Sequence, residues 1–162
     1  QCQLTEIPFS TKIRNKKAAS IIGFNTFGSL IWPNEKSLGV DVPILLIGGT
    51  YDLITPLISE QFSVFLSANN SYNRFLIVEG ASHFSPIRIN KRNKEKDDIF
   101  KISEPFIGSN PLSVQNIYSK VIIEFLNKVK KKEKLKIISN QKDSNLEFHI
   151  LDRKTINKIS EN

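Results

Sequence analysis

One carboxylate and one imidazole each follow an apolar segment of strand length and a glycine turn. Asp52 comes after the segment at residues 42–47 and a Gly-Gly pair, and His83 comes after the segment at residues 74–79 and a single glycine. A histidine that acts as a general base needs a fixed tautomer. A carboxylate bonded to one ring nitrogen fixes that tautomer and stabilises the imidazolium that forms. These residue types make Asp52 and His83 candidates for an acid–base pair.

The two apolar segments are typical of strands that are buried on both faces of a parallel sheet. The stretch between them begins with Thr55 and Pro56, an N-cap residue followed by proline, and continues with apolar residues at helical spacing. A strand–helix–strand unit brings both strand ends to one rim of the sheet, where ligands bind in open parallel sheets. We therefore expect the two candidate side chains to lie within hydrogen-bond reach.

Three further segments complete the predicted architecture. Residues 18–24 are short and apolar and predict another strand, whereas Asn110 and Pro111 open a long amphipathic helix. Residues 90–98 are polar and predict an exposed loop. The order predicts the α/β class, with a mostly parallel sheet and flanking helices. Three strands make a narrow sheet, so we expect partner strands upstream of the chain.

The C-terminal part of the chain is rich in lysine. Residues 128–136 contain six lysines against Glu133 alone, and a second basic cluster occupies residues 91–96. We predict a domain portion at residues 1–130 and a lysine-rich tail at 131–162, with a short helix around 154–159. Neither cluster is interleaved with the aromatic residues that stack on bases, so a solvated surface is favoured over nucleic-acid binding.

Composition limits the class of protein. Hydrophobic residues make up 40% of the chain and charged residues 24%, which is typical of a soluble globular protein. No apolar run reaches the roughly 18 residues of a membrane helix. The single cysteine, Cys2, rules out an internal disulfide and a Cys-based zinc site. The chain begins at Gln1 and contains no Met, which predicts a piece of a longer protein; we expect it to be cytoplasmic by default, with an upstream signal peptide left open.

The motifs together resemble the acid-and-histidine half of the α/β-hydrolase superfamily. The shared pattern is a strand, Gly-Gly-x-x-Asp-x-x-x-Pro, a helix, a strand ending in Glu-Gly, and x-x-His-Phe. Within that superfamily, PILLIGGTYDLITP and RFLIVEGASHF are most similar to predicted dienelactone hydrolases and to platelet-activating-factor-acetylhydrolase-like esterases. The resemblance covers residues 18–125, and the long helix matches the last sheet-covering helix of that family.

The resemblance implies a three-layer sandwich and hydrolysis of a small carboxylic ester or lactone by a Ser-Asp-His triad, without a metal or organic cofactor. Asp52 would be the acid and His83 the base, while Asn25 and Thr26 would lie on the active-site rim and contact the substrate. The nucleophile motif Gly-x-Ser-x-Gly does not occur in the 162 residues. It precedes the acid and the histidine in this family, so we expect the serine and the oxyanion hole upstream, and the chain alone to be inactive.

Each candidate residue also has a structural interpretation. His83 could be a satisfied structural histidine, and Asp52 a turn or helix-capping residue. Ser82 and Ser85 adjoin His83 outside any nucleophile elbow, and the sequence favours loop roles for both. His149 lies in the predicted tail, where we expect a surface residue without a partner.

Two other functions fit the same sequence. A non-catalytic α/β interaction module would keep the fold without the chemistry. A basic nucleic-acid-binding protein would use the lysine clusters, and its binding would weaken steeply with salt.

Overall fold

Five strands form one mixed sheet in the computed structural model, which describes residues 18–28, 40–87, 108, 110–143 and 145–160. The predicted loop at residues 90–98 lies outside these ranges. In chain order the strands are β1 (Ile21–Phe24), β2 (Ile44–Gly49), β3 (Arg74–Val78), β4 (Ile138–Asp143) and β5 (Leu146–Leu151). Their spatial order is β1-β2-β3-β5-β4. The α/β class predicted from the sequence is confirmed, but the sheet is mixed rather than mostly parallel, because two of its four strand pairs are antiparallel.

The three N-terminal strands are parallel, as predicted. β1 pairs with β2 and β2 pairs with β3, so the ends of all three strands reach the same rim of the sheet. Every residue of β2 and of β3 is buried. Both faces of these strands are covered by helices. A continuously apolar strand requires this, because neither of its faces is polar enough to contact water. The first strand is shorter than predicted and begins at Ile21 rather than at residue 18.

Helices cover the two faces of the sheet. On one face, a π-helical segment (Leu57–Gln61) leads into α1 (Phe62–Ser67), where Phe62 and Phe65 both meet Phe75 of β3 edge to face. On the other face lies the long helix α2 (Pro111–Lys130). Its buried stripe packs on alternate residues of β2 and β3 and consists of Val114, Ile117, Tyr118, Val121 and Phe125.

The prediction of a lysine-rich tail after residue 130 is wrong. The segment forms the hairpin β4–β5, and β5 adds to β3 as an antiparallel neighbour that places Ile150 beside Leu76. Phe148 and Ile150 of β5 face the α2 core and are almost fully buried. The lysines before β4 obscured this alternation of apolar and polar residues, which is the mark of a half-buried antiparallel strand.

The short C-terminal helix predicted around residues 154–159 is confirmed as α3 (Arg153–Ser160). It packs against the α1 side of the sheet through Ile156, which is fully buried. Asp152 caps the helix, since its Oδ1 accepts hydrogen bonds from the Thr155 backbone and hydroxyl, both at 2.9 Å.

Among the helices that the structure describes, none is both long enough and apolar enough to cross a membrane.

The position of Ile150 in the core leads to a first prediction. Ile150→Ala should lower the free energy of unfolding by about 2–5 kcal/mol, because it removes buried side-chain atoms and leaves a cavity. Lys142→Ala, on the exposed strand β4, is the matched control and should change stability by no more than about 0.5 kcal/mol. Urea denaturation measures both values. Equal effects would mean that the hairpin is not part of the folded core.

The cap at Asp152 gives stability a pH dependence. Burial alone would raise the pKa of Asp152, but hydrogen bonds from Thr155 and the charge of Arg74 outweigh it and hold the pKa below the ordinary 3.8. The capping contribution is therefore present above the unfolded-state pKa and is lost as the pH falls through the folded-state pKa. Asp152→Ala should cost about 1 kcal/mol at neutral pH.

The gap between wild type and Asp152→Ala should narrow on acidification below pH 3.8, as followed by thermal unfolding across the acid range. Asp152→Asn is the control. Its amide oxygen can cap α3 at every pH, so the gap in stability between Asp152→Asn and Asp152→Ala should not narrow on acidification. A gap that stays constant into strong acid would contradict this account.

Candidate functional site

Asp52 is held in a tight turn after β2. Its Oδ1 accepts hydrogen bonds from the backbone amides of Ile54 at 3.0 Å and Thr55 at 2.8 Å, and its Oδ2 accepts one from the Thr55 hydroxyl at 2.8 Å. The side chain is fully buried. Thr55 therefore faces inward and does not cap the following helical segment, which begins after Pro56 without a side-chain cap. The predicted capping role of Thr55 is wrong, because Asp52 takes its hydroxyl.

His83 follows β3 and meets Asp52, as the sequence predicted. Its Nδ1 lies 3.1 Å from Oδ2 and 3.2 Å from Oδ1 of the carboxylate. The imidazole is 27% exposed, so one edge of the ring contacts the buried anion while another part reaches solvent. An ionised carboxylate only accepts hydrogen bonds, so this contact places the ring proton on Nδ1. In the neutral ring, Nε2 is then left with a lone pair and can accept a proton.

Asn25 fixes the loop that carries His83. It has left-handed backbone (φ 45°) at the end of β1, and its side-chain Nδ2 donates to the backbone oxygen of His83 at 2.7 Å. Its own backbone amide donates to Ile47 of β2 at 2.9 Å. Asn25 thus ties the end of β1 to the loop after β3. The predicted substrate contact of Asn25 stays a prediction.

Thr26 also lies directly after β1. Its hydroxyl is buried and has no hydrogen-bond partner among the residues that the structure describes, and the Oδ1 of Asn25 is in the same state. The predicted position of both residues at the strand end is therefore found, while contact with a substrate remains to be tested.

Gln61 is part of the site although no motif in the sequence predicted a role for it. It is fully buried, and its Nε2 donates to the Thr55 backbone oxygen at 2.7 Å and lies 3.4 Å from Asp52 Oδ2. Gly48 makes room for this side chain, because a Cβ there would collide with the Gln61 carboxamide. The sequence signal that could have identified Gln61 is a glutamine next to Phe62 on a helical face that is otherwise apolar.

The loop that contains His83 is held by hydrogen bonds among its own polar groups and by hydrogen bonds from α2. The Ser85 hydroxyl accepts from the Ser82 amide at 2.8 Å, and the Ser82 hydroxyl accepts from the Phe84 amide at 3.2 Å. Gln115 of α2 donates to the backbone oxygen of Ser85 at 3.0 Å and to that of Ile87 at 2.8 Å. The loop roles predicted for both serines are confirmed.

Tyr118 of α2 adds a neutral hydroxyl near the pair. Burial, together with the negative charge of Asp52, raises the pKa of its phenol. The ring meets Phe24 of β1 edge to face at 5.6 Å, and the described residues supply no hydrogen-bond partner for the hydroxyl. Tyr118 therefore stays protonated and can act only as an uncharged polar group.

The second histidine also has a carboxylate partner, contrary to the prediction for His149. Its Nε2 lies 3.2 Å from Glu79 Oε1, and its Nδ1 accepts the backbone amide of Asn140 at 3.2 Å. Glu147 brings a third potential metal ligand within 4.8 Å. Since Nδ1 accepts a hydrogen bond from a backbone N–H, it carries the lone pair of the neutral ring, and the ring proton sits on Nε2, the nitrogen that faces the carboxylates. A metal would need a lone pair there, so this geometry favours a hydrogen-bonded pair.

Comparison of the chain with models of known protein families finds no match, and comparison with curated proteins finds none either. The resemblance to α/β-hydrolases therefore depends on the motifs in the sequence. The contact between Asp52 and His83 is shown by the distances given above.

The role of Asn25 can be tested with a matched pair of substitutions. Asn25→Gly keeps the left-handed backbone and removes the hydrogen bond to His83, so it should destabilise the fold by about 1 kcal/mol and speed amide exchange in the His83 loop. Asn145→Gly replaces another left-handed asparagine, at φ 66° in an exposed turn, and should do neither. Hydrogen exchange followed by NMR measures both. Equal effects at the two sites would contradict a positioning role for Asn25.

Proposed function

We propose that Asp52 and His83 are the acid and the general base of a serine hydrolase that acts on small carboxylic esters or lactones. One observation carries the proposal. A fully buried carboxylate lies 3.1 Å from the Nδ1 of a partly exposed imidazole, at the ends of two adjacent parallel strands. The nucleophilic serine, in this proposal, belongs to a polypeptide segment outside the 162 residues.

The chemistry follows from the orientation of the His83 ring. As the serine Oγ attacks the substrate carbonyl carbon, Nε2 takes the hydroxyl proton, and Asp52 stabilises the imidazolium on the opposite side of the ring. The same proton then passes from Nε2 to the leaving oxygen, which gives an acyl-enzyme and a free alcohol. Water repeats the sequence, with Nε2 as base, and releases the acid. No metal or organic cofactor takes part in these steps.

The β1 edge of the sheet, which is the edge nearer to Asp52 and His83, supports a position for the missing serine. Within the described residues, β1 has a hydrogen-bonded neighbour on one side only, which is β2. A further parallel strand on the free side would end at the same rim as Asp52 and His83. A nucleophile carried at the end of that strand would face the acid–base pair, as in the α/β-hydrolase resemblance and its three-layer sandwich.

The nucleophile and the oxyanion donors would therefore come from the same missing segment. Each oxyanion donor is typically worth about 3 kcal/mol of barrier lowering, so the 162 residues alone should hydrolyse nothing by this route. The activity belongs to the complete polypeptide that contains them.

The test is to express the complete reading frame that contains this chain and to assay it with short p-nitrophenyl esters. His83→Ala and Asp52→Asn should each lower kcat by roughly 10³-fold or more, because each removes one member of a unit that works together. His149→Ala is the matched control, since it removes the other histidine with a carboxylate partner and should leave kcat unchanged.

Three results would count against the proposal. They are an absence of ester or lactone turnover, turnover that survives His83→Ala, and an equal loss of turnover in His149→Ala. In those cases the contact between Asp52 and His83 serves the fold alone.

A further inference from the structure

We propose that Thr55 is a positioning residue that fixes the tautomer of His83. The inference deepens the proposed function, and it rests on that function only for its kinetic consequence. The Thr55 hydroxyl lies 2.8 Å from Asp52 Oδ2, 3.1 Å from His83 Nδ1 and 3.2 Å from the backbone oxygen of Asn25. One oxygen atom thus meets the loops that follow all three parallel strands.

A count of protons decides the direction of these contacts. The hydroxyl has one proton, and both Asp52 Oδ2 and the Asn25 carbonyl can only accept. The carboxylate is nearer and charged, so the hydroxyl donates its hydrogen bond to Asp52. The lone pairs of Thr55 then face Nδ1 of His83, and they favour a proton on that nitrogen.

The other tautomer, with the proton on Nε2 and a lone pair on Nδ1, is unfavourable at the contacts with both Asp52 and Thr55. A lone pair on Nδ1 would face the oxygens of Asp52, which are also acceptors. That lone pair could accept a hydrogen bond only if the Thr55 hydroxyl stopped donating to Asp52 and donated to Nδ1 instead. Thr55 therefore acts together with Asp52 and holds the His83 proton on Nδ1, which leaves Nε2 free to accept one.

Thr55 itself is held from three directions. Its amide donates to Asp52 Oδ1 at 2.8 Å, its carbonyl accepts from Gln61 at 2.7 Å, and its hydroxyl makes the contacts given above. The residue is fully buried, so water cannot replace the hydroxyl when it is removed. Thr55→Val keeps the branched shape and removes only the polar atom, whereas Thr55→Ser keeps the hydroxyl.

The experiment reads the tautomer directly, by two-bond ¹H–¹⁵N NMR correlations of the His83 ring in the 162-residue chain. In spectra recorded at a pH at which the ring is neutral, wild type should carry the proton on Nδ1. Thr55→Val should shift a measurable fraction of the ring to the Nε2–H tautomer, and Thr55→Ser should restore the wild-type spectrum. This measurement needs no serine nucleophile, so it separates this inference from the proposed function.

The kinetic arm uses the complete polypeptide. Thr55→Val should lower kcat roughly tenfold, about the effect of one lost hydrogen bond to a charged group, with KM unchanged. Thr55→Ser should recover it. If the complete polypeptide has no activity that depends on His83, the proposed function fails while the NMR result stands.

Two outcomes would overturn the inference. One is a wild-type His83 that carries its proton on Nε2, and the other is a folded Thr55→Val whose tautomer equals that of wild type. If Thr55→Val does not fold, a third observation decides, on the Thr55 hydroxyl proton of the wild type, because Asp52 alone would already place the His83 ring proton on Nδ1. A Thr55 hydroxyl proton protected from exchange and close to the Nδ1 proton supports the role, and its absence rejects it.

Discussion

The buried carboxylate of Asp52 is the constraint on which the rest of the site depends. A carboxylate removed from water costs several kcal/mol unless donors satisfy its oxygens. Its donors come from its own turn, from the π-helical segment through Gln61, and from His83 on the next strand loop. Satisfying one anion therefore fixes the turn after β2, the start of the helical segment and the imidazole together.

The approach of the two strand-end loops depends on a residue without a side chain. A Cβ at Gly49 would collide with the backbone of Ala81, so glycine alone lets the loop after β3 come this close. Two hydrogen bonds then join the loops, from the Tyr51 amide to the Ala81 oxygen and from the Gly80 amide to the Thr50 hydroxyl, both at 2.9 Å. These two contacts, one between backbone groups and one to the Thr50 side chain, hold the His83 loop beside Asp52.

The hairpin β4–β5 converts β3 from an edge strand into an interior strand of the sheet. With β2 on one side and β5 on the other, β3 is an interior strand, and Arg74 at its start donates to the Leu135 oxygen at 2.7 Å in the segment before β4. The strand that carries the His83 loop is thus anchored along both edges. Within the described ranges the sheet has two edge strands, β1 and β4, and the β1 edge lies on the far side of the Asp52–His83 contact from the hairpin.

The sequence by itself determined the parallel strands, the long helix and the meeting of Asp52 with His83, because continuous apolar runs and glycine turns are local signals that a strand–helix–strand unit converts into one geometry. Only the tertiary structure decided the roles of Thr55, Gln61 and the strands after residue 130. A threonine before proline has a local use as a helix cap, and a lysine-rich stretch has a local use as solvated surface. Partners met only in the folded chain decide which role is taken. For Thr55 the partner is the buried Asp52 carboxylate, and for the segment after residue 130 it is the free edge of β3.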